Sequence, residues 1–174
     1  DVCSSDLVSI LRAAVFAGLL GLGLGPAPAF AGTHSLPQAN PVVSVTIPDG
    51  WKFVNDGLAV EASPEEEDLY VSFMLVEMRE FPVAMKHWEE WAERMNIKLD
   101  ESSKQVRKFQ FEGGDSITQK WRATDRDGET TVMRTILKLS DEKLLFATEW
   151  GSQEAAKKYH AEIVEMRASV TKLR

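Results

Sequence analysis

The segment from Gln105 to Trp150 constrains this chain more than any other. Its β-runs are broken by the turn signals Glu112-Gly113-Gly114-Asp115, Asp125-Arg126-Asp127-Gly128 and Ser140-Asp141-Glu142-Lys143. Short runs at that spacing, joined by Gly- and Asp-rich turns, pair with their neighbours as an antiparallel meander. Its clearest strand runs from Ile117 to Ala123. Ile117, Gln119, Trp121 and Ala123 fall on one face, and Thr118, Lys120, Arg122 and Thr124 on the other. A sheet with one mostly apolar face has to bury it, so the helices before and after the meander are expected to cover it.

The same alternation places the other elements. Val42 to Ile47 reads as a first strand ended by the turn Pro48-Asp49-Gly50, with Trp51 and Phe53 anchoring that turn against the sheet edge. Leu58 to Ala62 reads as a short strand. Leu69 to Met78 is apolar on both faces, with Leu69, Val71, Phe73 and Leu75 on one and Tyr70, Met74, Val76 and Met78 on the other, the pattern of a central strand covered on both sides by helices. Pro82 opens a helix whose inner face carries Ala84, Trp88, Trp91, Met95 and Leu99. Ser152 caps a final helix that docks through Ala156, Tyr159, Ile163, Met166 and Val170, with Lys172 and Arg174 suiting its C-terminal dipole.

The N-terminal part belongs to targeting rather than to the fold. Residues 1–7 resemble the translation of a sequencing adapter, which would make Cys3 foreign to the natural protein. Residues 8–31 read as a signal peptide: Arg12, an apolar run from Ala13 to Leu24 too short for a comfortable membrane span, Gly25-Pro26, and the small-residue exit Ala29-Phe30-Ala31. Residues 32–41 read as a mobile lead-in carrying a solvated His34, and residues 42–174 as one domain. The expected setting is periplasmic or secreted, with no transmembrane anchor after cleavage. A single cysteine allows no internal disulfide and no Cys-based metal site, so the core must stabilise the fold. A net charge of −7 argues against nucleic acid as a partner.

Few residues suggest chemistry. There is no Gly-x-Ser-x-Gly elbow, no phosphate-cradling loop and no His-Glu-x-x-His pair. His87 with Glu90 supplies two ligands where a metal site needs at least three, so no metal or cofactor is expected. Ser63-Pro64-Glu65-Glu66-Glu67-Asp68 lacks calcium-loop spacing and reads as a solvated loop. The candidate ligand or partner surface is made of Trp88, Trp91, Trp121, Lys120 and Arg122. The tryptophans are expected to serve mainly as core. Lys108, Lys120, Arg122, Arg134 and Lys138 would make a cationic strip for a lipid headgroup or an acidic partner if several shared one sheet face, against the alternative of a solvated face offset by Glu112, Asp127 and Glu129.

The order of elements, with Val45-Thr46-Ile47-Pro48-Asp49-Gly50-Trp51, the meander and a closing helix ending near Ser169-Val170, resembles the PsbP-like α/β/α sandwich, including DcrB-like bacterial envelope proteins. The resemblance spans nearly all of residues 32–174. It implies an α+β fold, an antiparallel sheet between helices, and a non-catalytic binding or assembly role. It carries over no functional residue, because that fold serves many functions. The reading is therefore a non-enzymatic module of the bacterial envelope acting through protein contacts. The alternative is a carrier of a lipid or other apolar ligand held between helix and sheet, walled by Trp88, Trp91 and Trp121. A carboxylate- or metal-dependent hydrolase comes third.

Overall fold

Alternation along the chain produces long antiparallel strands that share two faces. In the computed structural model, which describes residues 32–173 apart from Glu67 and Gly113, β1 is Thr33–Leu36, β2 Val43–Thr46, β3 Lys52–Asn55, β4 Ala59–Ser63, β5 Leu69–Glu77, β6 Lys98–Leu99, β7 Gln105–Phe111, β8 Gly114–Thr124, β9 Glu129–Lys138, β10 Lys143–Ser152 and β11 Thr171–Lys172. The helices are α1 Phe81–Arg94, α2 Gln153–Lys158 and α3 His160–Ala168. The adapter-like and signal-peptide readings lie outside the described residues.

The main sheet runs β3-β4-β5-β10-β9-β8, with β6 and β7 both on the far edge of β8. The meander is as expected: β7 to β10 pair in sequence, and β10 closes onto the doubly apolar β5 with Leu145 opposite Leu75 and Ala147 opposite Phe73. Gly151 is required where β10 passes the start of β5, since a Cβ there would lie 2.8 Å from the Asp68 carbonyl oxygen. Gly50, at φ +82°, closes the Pro-Asp-Gly turn before the buried Trp51.

One face of this sheet packs on α1 and the other on α2, α3 and a second, three-stranded sheet of order β1-β2-β11. That small sheet corrects the sequence reading in three places. Residues 33–36 are a strand instead of a mobile lead-in, because Leu36 is buried opposite Val43 and pays for its order with core contacts. His34 is not a solvated terminal residue: its ring lies 4.3 Å from that of Phe53, and burial holds its pKa below the usual histidine value. The chain end at Thr171–Lys172 returns as a strand on β2 instead of extending the helix. Val43, Val45 and Ile47 of the first strand therefore cover the main sheet and are not part of it.

The closing helix is split at Tyr159, which ends α2 and begins α3. Ser152 caps it through its Oγ, which accepts from the Ala155 N–H at 2.9 Å. Ala155, not Ala156, is the buried alanine. At the other helix, Asn96 in the left-handed region (φ 57°) follows the last turn of α1.

Candidate functional site

The tryptophan side is a packed core. Trp88 and Trp91 of α1 lie with centroids 6.3 Å apart, Trp88 sits 6.1 Å from Trp121 of β8, and Tyr70 stacks on Trp91 at 5.6 Å. The Trp88 indole donates to Thr148 Oγ1 at 3.2 Å, and Trp150 to Asp125 at 2.9 Å. Arg134 is buried beneath these rings, 4.4 Å from the Trp88 centroid and 5.2 Å from that of Trp121. Its Nε donates to Gln119 Oε1 at 3.0 Å, and burial lowers the guanidinium pKa. The rings fill the space between helix and sheet. The cavity left there, beside Tyr70, Glu61 and His87, measures about 60 Å³, against the several hundred that a lipid or drug-sized ligand needs. A ligand walled by Trp88, Trp91 and Trp121 therefore has no room in this arrangement.

The other titratable groups of that side are tied up locally. His87 Nδ1 lies 3.4 Å from Glu90, and among the described residues no three His, Cys, Asp or Glu side chains are grouped to hold a metal. Burial raises the Glu61 pKa, opposed by its hydrogen bond with Tyr70 and reinforced by Asp56.

Strand alternation divides the predicted surface. Lys120 and Arg122 project from the face opposite Trp121, while Lys108, Arg134 and Lys138 fall on the tryptophan side, so the five cations do not form one strip. The face that carries Lys120 and Arg122 is only partly covered. The helices α2 and α3 pack on the β5 and β10 side of this face, with α2 reaching β9 and Arg167 of α3 reaching Met133, and a groove is left over the rest of the meander.

That groove consists of two cavities, about 660 and 540 Å³. They share Gln105, Lys120, Met133, Glu149 and Arg167 as lining residues. The larger, beside α2, is also lined by Arg122, Thr131, Lys157 and His160; the smaller, toward the β7–β8 turn, by Phe73, Arg107, Phe109, Phe111, Leu137 and Val170. Between them Arg167 of α3 reaches Glu149 of β10 with two hydrogen bonds, Nε to Oε1 at 2.5 Å and Nη2 to Oε2, and approaches Met133 Sδ at 3.6 Å. Glu149 is the one carboxylate lining either cavity. Arg122 is held by Asp100 at 2.9 Å on the rim. Lys120, Lys157 and Arg107 have no carboxylate within ion-pair distance among the described residues. An acidic chain thus gathers in this groove three cations that have no ion-pair partner among the described residues.

Comparison with solved structures follows from this architecture. The solution structure of cyanobacterial PsbP (CyanoP) from Synechocystis superposes with a TM-score of 0.56 over 90% of this chain and 100% of that one, at 14% identity. The fold is PsbP-like. Two weaker superpositions are LpqN of Mycobacterium tuberculosis, involved in cell envelope biogenesis (0.49; 6% identity; 83% and 92% covered), and the Ran-binding protein Mog1p of Saccharomyces cerevisiae (0.46; 10%; 82% and 96%). No family model and no curated sequence matches the chain. The likeness establishes the PsbP-like fold alone.

Sequence reasoning named Lys120 and Arg122 but missed their neighbours. Arg167 and Glu149 lie 18 residues apart on different elements, and no local pattern announces them. Phe109 and Phe111 alternate along β7 as sheet residues do, yet they are only half-buried, packed on the edge of the core and lining the smaller cavity. The acidic loop is solvated as expected, with Glu65, Glu66 and Asp68 exposed, but it also ties to α2. Glu66 accepts from Lys158 Nζ at 2.7 Å and from the Tyr159 hydroxyl, contacts that pull its pKa down to about 2. Among the described residues no helix is long and apolar enough to cross a membrane.

Proposed function

We propose that the chain is a non-catalytic binding module of the bacterial envelope that holds a protein partner in the groove over β7 to β9. One observation carries this reading: the two cavities of the groove on an acidic molecule are lined by Lys120, Lys157 and Arg107, which have no ion-pair partner among the described residues, while the carboxylate they contain, Glu149, is engaged by Arg167. Charge gathered against the overall balance favours an oppositely charged partner. Catalysis has less support in the same place. Both Glu149 oxygens are engaged by Arg167, which leaves that carboxylate poorly placed to act as a base. The envelope setting rests on the signal-peptide-like segment.

A photo-crosslinking residue placed in turn at Thr135, on the groove floor, and at Glu93, on the outer face of α1, tests the reading in a bacterial periplasm. A discrete protein adduct from Thr135 and none from Glu93 is expected. Adducts from Glu93 alone, or equally from both, would overturn it.

A further inference from the structure

The two cavities differ in chemistry along one line, and that line runs with the strands. Arg122 and Ser116 are six residues apart on β8, about 20 Å at the rise of a strand. At the Arg122 end the groove is cationic, through Lys120 and Lys157. At the Ser116 end it is apolar, because Ser116 pairs with Phe109, and Phe111 and Leu137 lie alongside. The ends meet at Lys120, beneath the Arg167–Glu149 bridge.

We infer that the groove takes an extended peptide segment with acidic side chains at one end and an aliphatic or aromatic side chain four to six residues away, the span along β8 from Lys120 to Ser116 and Gly114, the partners of Phe109 and Phe111. This rests on the groove being the working surface, and adds the chemistry of what it holds. Lys120 and Lys157 receive the acidic side chains, and Phe109 with Phe111 receives the apolar one. Between them lie the half-buried Thr118 and Thr135, whose hydroxyls bond each other at 2.9 Å and keep capacity to bond the N–H or C=O groups of an extended backbone. An acyl chain has no use for such a floor, and the groove lacks the apolar enclosure that would hold one.

The probe is a fluorescent ten-residue peptide with three acidic residues at one end, Ser and Thr in the middle and Leu-Phe at the other, together with its order-reversed form. Binding to the protein recovered from the periplasm is followed by anisotropy. At least one order is expected to bind, more weakly as salt rises. Replacing the acids by amides, replacing Leu-Phe by Ser-Ser, or making Lys120→Glu should each weaken binding about tenfold or more, since close charge pairs and buried apolar anchors each contribute that much. Glu93→Lys should leave it unchanged. Lys120 is exposed, so its variant is expected to fold, which circular dichroism checks. The inference is overturned if neither order binds, if Lys120→Glu has no effect, or if vesicles of anionic phospholipid bind while the peptides do not. Should the peptides fail while Thr135 still cross-links a protein, only the ligand chemistry falls; cross-links from the α1 face would remove both proposals.

Discussion

The two faces of the main sheet spend their side chains differently. On the α1 face, Trp88, Trp91, Trp121 and Phe146 are buried against one another and leave about 60 Å³. On the opposite face, α2 and α3 cover β5 and β10 and reach β9 but leave the rest of the meander open, with about 660 and 540 Å³ on either side of one ion pair. Large aromatics on a strand thus mark where the fold is held together. The surface we propose as the working one is the stretch of sheet that the helices leave open, lined by threonine, lysine, methionine, arginine and phenylalanine side chains.

The contrast breaks most visibly at its most buried ring. Trp121→Ala should cost about 3–5 kcal/mol by leaving a cavity beside Arg134, read from urea denaturation, while whatever fraction stays folded still cross-links from Thr135. Loss of cross-linking in a folded variant would mean the two faces are not independent. Arg167→Ala should cost about 1–3 kcal/mol, because it strands the poorly exposed Glu149 carboxylate. Adding Glu149→Gln should restore most of that loss, and failure to do so would show that Arg167 acts by packing alone.

Smaller effects sharpen the comparison. Ser152→Ala removes the cap that turns β10 into α2 and should cost about 1 kcal/mol, with the groove wall loosening in hydrogen exchange. Glu61, on the closed face, has its pKa raised by burial above the ordinary 4.5. Its contribution is therefore fully present below that value and is lost as pH rises through the folded-state pKa. Glu61→Gln should raise the melting temperature at pH 7 to 8, with the gap closing toward pH 4. A gap that widens on acidification would contradict that burial.

Much of this architecture is legible in the sequence because period-two alternation and turn residues are local signals. The meander, the doubly covered β5, the Pro82 helix start and the Ser152 cap all follow from them. The three-stranded sheet is not legible, since β11 pairs with β2 across more than a hundred residues and two of the three strands are short in apolar content: Thr33–Leu36 offers one buried side chain and Thr171–Lys172 none. The candidate groove is half legible. Alternation puts Lys120 and Arg122 opposite Trp121, but nothing in the sequence states how far α3 extends across the sheet. For the same reason Arg134 read as a surface cation until the rings of Trp88 and Trp121 closed over it.

The most direct test of the account is amide hydrogen exchange on the protein with and without its cross-linked or co-purified partner. Added protection in β7, β8, β9 and α3, with α1 unchanged, is the predicted result. Protection concentrated on α1, with the meander unchanged, would place the working surface on the tryptophan side and contradict it.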